Sequence, residues 1–208
     1  MSTSKSVIYS LIIVTGFLFS NCSESTEPDV LSQDLIPLKI NNSWNYKQTD
    51  YDSSGVIYRV ENQSSTIIKD TIILSQLWYS FSDVPDGIWF TNKTDGYWAF
   101  VKANTGSTLN DSSLLVYKYP TKVGDIYGDA DRPLEVVSID EDITVTAGSF
   151  KVIHIIINYL SSQNYLRDSF EIFIAPQIGV IKRMQIGKKP NGNKFIVFQS
   201  ELESYSLK

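Results

Sequence analysis

The sequence predicts an all-β protein: about a dozen antiparallel strands forming a curved sheet, a half-barrel or a sandwich. Two observations carry that prediction. From residue 35 onward, apolar and β-branched residues come in short runs with almost no helical spacing, the signature of strands. Between the runs stand clusters of Gly, Pro, Asn and Asp, which favour tight turns. Many short strands joined by short loops settle into a sandwich, a barrel or a strongly curved open sheet.

Taken in order, Trp44 to Thr49 alternates, and Asp52-Ser53-Ser54-Gly55 turns the chain into Val56 to Val60. Strands follow at 66–74, 77–82, 87–91 and 96–103, separated by the turn signals Asp83-Val84-Pro85-Asp86-Gly87 and Asn92-Lys93-Thr94-Asp95-Gly96. Further strands fit 113–119, 134–139, 142–147, 149–159, 165–174, 178–186 and 194–205. Asn191-Gly192 between the last two is a hairpin signal, because both residues tolerate positive φ. Several runs are apolar on both faces: Leu77, Tyr79 and Phe81 oppose Trp78, and Val152, His154 and Ile156 oppose Ile153, Ile155 and Ile157. A sheet with one wet face does not need this. Either both faces are covered in a two-layer core, or a concave face encloses an apolar space.

The first residues read as an address. Residues 1–6 are polar with one cation, Lys5, and Val7 to Phe19 form a thirteen-residue apolar stretch. That suits the apolar core of a signal peptide and falls short of the ~20 residues a spanning helix needs. The chain's only cysteine, Cys22, stands directly after it in Phe19-Ser20-Asn21-Cys22. The arrangement resembles a bacterial lipoprotein signal, which implies cleavage of residues 1–21 and lipidation of Cys22, hence a membrane partner through the N-terminal lipid. Asn21 is larger than the usual residue at its place, and ordinary secretion or an uncleaved anchor are the alternatives. The mature chain would have 187 residues with 17 bases and 23 acids, a net charge of −6. Residues 22–34 read as the lipidated residue and a flexible tether, the tether reaching about 20 Å on average. Residues 35–208 read as a single β-rich domain. The expected location is the outer membrane or cell surface, with the periplasmic face as the alternative; acids just after Cys22 resemble the surface-export signal of Bacteroidota-type lipoproteins.

Composition excludes several functions. The pI near 4.9 argues against a nucleic-acid surface, which needs a basic excess. One Cys and one His leave no disulfide framework, no Cys-rich zinc site and little material for a His-based triad. His154 lies in the apolar run Lys151 to Ile157 and reads as a core or barrel-facing residue. No Gly-x-Ser-x-Gly elbow exists. No cofactor and no catalytic residue is expected.

Three patterns deserve a chemical reading. Residues 124–142 carry seven acids and one base, Arg132. Within them Asp125, Asp129 and Asp131 offer oxygens to Ca²⁺, although the spacing is not that of an EF-hand; solvated turns, where Asp is favoured for its local hydrogen bonds, are the plainer explanation. A glycoside hydrolase reading would need a carboxylate pair about 5–10 Å apart across a cleft, for instance Asp129 or Asp131 with Glu135. Residues 182–194 carry five bases and no acid, fit either to meet lipid headgroups or to keep a sheet edge from pairing. Trp78, Trp89 and Trp98 fall in three successive strands. Sharing an exposed face they would form a platform for a glycan or an apolar ligand, and buried they are core.

Three segments carry a family resemblance: Ile36 to Tyr46, Val145 to Val152, and Phe173 to Lys182. They resemble a group of bacterial envelope lipoproteins, the TapB-like family of uncharacterised domains, in turn related to the half-barrel of lipoprotein carriers. The resemblance implies a curved sheet and an envelope location, and it implies no catalytic residue. Pro37-Leu38-Lys39-Ile40-Asn41-Asn42-Ser43-Trp44 also echoes Pro120-Thr121-Lys122-Val123-Gly124-Asp125-Ile126-Tyr127; two identities in eight leave a true repeat open. The function expected from all this is a non-catalytic, lipid-anchored envelope protein that binds a hydrophobic ligand or an envelope partner through its sheet. A surface glycan-binding module is the alternative.

Overall fold

The computed structural model describes residues 34–103, 111–159 and 166–208. The predicted signal segment, Cys22 and the tether through residue 33 lie outside the described residues. Twelve strands are present among them: β1 (Ser43–Tyr51), β2 (Ile57–Ile73), β3 (Gln76–Phe81), β4 (Ile88–Lys93), β5 (Gly96–Val101), β6 (Ser112–Lys118), β7 (Ile126–Asp129), β8 (Arg132–Val145), β9 (Gly148–Asn158), β10 (Ser169–Ala175), β11 (Gly179–Lys188) and β12 (Lys194–Ser206). All pairings are antiparallel, so the predicted class holds.

The strands form one sheet in the order β6-β5-β4-β3-β2-β1-β12-β11-β10-β9-β8-β7. It is two six-stranded meanders joined where β1 pairs with β12. The sheet curls until its edge strands β6 and β7 approach without pairing, which makes a nearly closed barrel with a seam. Inward residues from nearly every strand meet in one core, with Ile67, Val136, Ile174, Ile181 and Leu202 fully buried.

The echo between residues 37–44 and 120–127 is structural. In the first copy Asn42 N donates to Lys39 O, Asn41 N to Ile67 O, and Ile67 N to Asn42 O. In the second, Asp125 N donates to Lys122 O, Gly124 N to Val136 O, and Val136 N to Asp125 O. Asn41 and Gly124 both have positive φ, 70° and 84°, and the two partners Ile67 and Val136 are both 0% exposed. Each copy opens one meander.

Four details differ from the sequence expectation. The runs 56–60 and 66–74 are one strand, β2, because polar Glu61 to Ser65 continue to pair with β1. Likewise 134–139 and 142–147 are one strand, β8, bent by register shifts. Residues 126–129, taken as part of an acidic loop, form the short edge strand β7. At the last hairpin only Gly192 has positive φ. Gly192 N donates to Lys189 O and Lys189 N to Asn193 O, with Pro190 second in the turn, a geometry in which Asn191 keeps negative φ.

Residues 34–42 cross one end of the barrel. Asn92 Nδ2 at the end of β4 donates to Ile36 O, and Gln177 N in the β10–β11 turn donates to Asp34 O and Leu35 O. Leu35 and Ile36 are buried there, so the segment acts as a plug.

Candidate functional site

The interior of the barrel is aromatic and hollow. One ring from each of β1, β3, β4, β5 and β6 makes a ladder: Trp44–Phe81, Phe81–Phe90, Phe90–Tyr97 and Tyr97–Tyr117, with centroids 5.4–6.0 Å apart. The last two contacts are stacked. Register explains it: Tyr79 opposes Phe90, Phe90 opposes Ala99, and Tyr97 opposes Tyr117, so these side chains share the inward face. Beside the ladder lies a cavity of about 220 Å³ lined by Trp44, Tyr46, Tyr97, Tyr117 and Arg183, with Asp83 among its lining. A second, partly open space of about 730 Å³ lies at the seam, lined by Leu114, Leu134, Ile157, Phe170 and Ile172 with exposed Asp129 and Arg132 at its edge. Val116 and Tyr117 line both, so the two spaces adjoin. A register shift in β6 beside Tyr97 and Trp98 inserts Val116 as an extra residue at that junction.

Polar groups inside are few. Tyr46 Oη donates to Val180 O at 3.0 Å and Trp44 Nε1 to Ile178 O at 2.7 Å. Burial pushes the Tyr46 phenol up to about 12 and lifts those of Tyr97 and Tyr117 too, while Arg183 pulls against burial at all three. Sequence reasoning missed this site, because its residues come from six strands. The one local signal is that Tyr97, Ala99 and Val101 alternate with Trp98 and Phe100, so that this strand is apolar on both faces.

The predicted residues lie elsewhere. Trp78, Trp89 and Trp98 share the outward face of β3, β4 and β5, since Trp78 precedes inward Tyr79 and Thr91 opposes Trp98. Trp78 is 3% exposed, packed on Phe100 at 5.7 Å. Trp89 and Trp98 are half-buried. Lysines stand over the rings: Lys93 Nζ is 4.0 Å from Trp98 and 5.4 Å from Trp78, and Lys69 Nζ is 5.1 Å from Trp89. Such contacts contribute about 0.5–1 kcal/mol at exposed sites. Trp78 and Phe100 are buried outside the main core, which explains why strands here are apolar on both faces.

His154 is a clamp. Its Nδ1 lies 3.0 Å from Glu141 Oε2, its Nε2 lies 3.2 Å from Glu171 Oε2, and its ring stacks on Phe173 at 4.1 Å. With a carboxylate at each nitrogen it ties β8, β9 and β10 together.

Among the acids, Asp125 is fully engaged: Lys118 Nζ at 2.9 Å, Thr121 Oγ1 at 2.9 Å and Lys122 N at 3.1 Å. Asp129 is exposed and lies 3.7 Å from Arg132, and Asp131 is exposed. Among the described residues no group of three or more His, Cys, Asp or Glu could hold a metal ion. The Lys118 hydrogen bond, then that of Lys122 N, holds the Asp125 carboxyl down at about 2. A depressed carboxyl adds stability above its unfolded value and loses it as pH falls toward the folded one. Asp125→Asn is therefore expected to destabilise the protein at pH 7 and to flatten the loss of stability between about pH 4 and pH 2, measured by urea unfolding at each pH.

Compared with known proteins, the chain matches no family model, and no curated protein matches it. Among solved structures, a candidate lipoprotein of Parabacteroides distasonis is 14% identical, with 84% of this chain and 99% of that chain covered and a TM-score of 0.47. A candidate exported protein of Bacteroides fragilis with a YmcC-like fold is 13% identical, with 83% and 98% covered and a TM-score of 0.44. No residue role is carried over from either. The likeness to TapB-like domains rests on the three segments alone, and two of them meet in space. Ile178 and Gly179 of the third segment sit on Trp44 of the first: Ile178 O accepts from Trp44 Nε1, and a Cβ on Gly179 would lie 3.3 Å from that nitrogen.

Proposed function

We propose that the chain is an exported, lipid-anchored protein of the bacterial envelope that binds an apolar ligand inside its curled sheet and carries out no covalent chemistry. The observation that supports it most is the pair of adjoining spaces, one beside the aromatic ladder and one at the seam. Protein interiors are close-packed, with few voids larger than a water, and ligand pockets occupy roughly 300–1,000 Å³. The 730 Å³ space falls in that range, and its lining is largely aliphatic and aromatic. An envelope partner docking at the seam is the other form of the same reading.

Two measurements test it. Cys22→Ser is expected to abolish incorporation of labelled palmitate and to stop cleavage ahead of residue 22. A serine variant still cut at that place and still bound to membrane sinks the anchor. Native mass spectrometry of the full chain extracted from its own envelope is expected to find a bound lipid-like molecule. A co-purifying glycan instead would move the site to Trp89 and Trp98 on the outward face.

A further inference from the structure

Arg183 is the odd residue of the interior. It stands on β11 opposite Ile172 of β10 and Ser200 of β12, on the inward face. Its guanidinium lies 5.6 Å from the centre of the Tyr46 ring. The neighbouring cations have partners: Lys182 Nζ is 2.7 Å from Glu201, and Lys194 Nζ is 2.9 Å from Asp168. Arg183 has no hydrogen bond and no ion pair among the described residues. Asp83 lines the same cavity as a second charge of opposite sign; its carboxylate accepts from Ser65 Oγ at 2.5 Å and makes no ion pair with Arg183 among the described residues. Arg183 is half-buried, and a cation partly withdrawn from water gains from an anion placed against it.

The hydroxyls around it are equally uncommitted. Tyr97 and Tyr117 are 4% and 9% exposed, and neither hydroxyl has a hydrogen bond among the described residues. The Tyr46 hydroxyl has spent its proton on Val180 O. The cavity therefore offers a planar five-donor fork and two phenolic donors, which matches the geometry of a carboxylate. Val116 and Tyr117 also line the larger space at the seam, where aliphatic and aromatic side chains predominate and Asp129 and Arg132 stand among them.

We propose that the interior holds a single-chain carboxylate amphiphile, its headgroup on Arg183, Tyr97 and Tyr117, and its alkyl chain running past Val116 into the larger cavity. This rests on the ligand-binding reading above and adds the sign and the size of the headgroup. It is tested by titrating [1-¹³C]dodecanoate and uncharged dodecanol into the full chain held in phosphatidylcholine nanodiscs, followed by carbon NMR. Wild type is expected to give a protein-bound carboxyl resonance and to bind dodecanoate at least tenfold more tightly than Arg183→Gln does. Dodecanol should bind both forms alike, which also reports that the variant is folded. If wild type binds dodecanol as tightly as dodecanoate, the anion site is overturned and the apolar cavity stands. If neither probe binds wild type, both readings fall. Inorganic phosphate at millimolar concentration is expected not to displace dodecanoate; full displacement would show a simple anion site and overturn the amphiphile.

Discussion

Gly96→Ala is expected to cost at least about 3 kcal/mol and to shift the urea midpoint accordingly. Gly96 opens β5 with φ +145°, a conformation that side chains rarely adopt. A Cβ there would lie 2.2 Å from Tyr117 O, 2.9 Å from Leu115 Cδ1 and 3.0 Å from Tyr119 N. Two of these are backbone atoms of the adjoining chain, so relief requires breaking the pairing of Gly96 with Lys118. Strained backbone alone costs about 1–3 kcal/mol, and the clash adds to it. Gly55→Ala is the control: φ is +89°, and a Cβ would meet nothing within 4 Å, so only the conformational cost applies. Equal losses in the two variants would show that the β5–β6 approach is not tight. Because Gly96 adjoins Tyr97, the first variant should also weaken the dodecanoate binding proposed above.

Trp44→Ala is expected to cost about 3–5 kcal/mol, the range for emptying a large aromatic site. The ring is 3% exposed, packs on Phe81 at 6.0 Å and donates to Ile178 O. It joins β1 of the first meander to the β10–β11 turn of the second. Trp44→Phe keeps most of the packing and leaves the Ile178 carbonyl without its donor, so about 1–3 kcal/mol is expected. Chemical denaturation of the two variants separates the terms. A phenylalanine variant as unstable as the alanine one would place the whole effect in the hydrogen bond.

The strands were legible because alternation and turn residues are local properties. Trp78, Trp89 and Trp98 could be placed on successive strands, and Asn191-Gly192 at a hairpin, from the residues alone. Faces were only half legible. The run Tyr97 to Phe100 is apolar on both sides, and only the curl of the sheet decides that Tyr97 points into the hollow and Trp98 out of it. Arg183 was hidden for the same reason. It sits in a basic stretch with Lys182, Lys188, Lys189 and Lys194, and nothing local distinguishes the one side chain that turns inward. The short edge strand β7 was missed because Asp129 and Asp131 read as turn residues; its partner β8 supplies the pairing. The repeat was faint in sequence, since its shared content is a set of backbone hydrogen bonds around Ile67 and Val136 rather than a set of identities.

The order of the sheet has a kinetic consequence. Every strand pairing joins neighbours in the chain except the one between β1 and β12, where Ser43 meets Ser206. Folding rates fall as contacts become more distant in sequence, and loop closure is costly before long-range contacts reward it. Each half can therefore zip up hairpin by hairpin on its own, and a single late clasp completes the molecule. A chain cut between Lys118 and Ile126 would lose no strand pairing, so two separately made halves should recognise each other and reassemble.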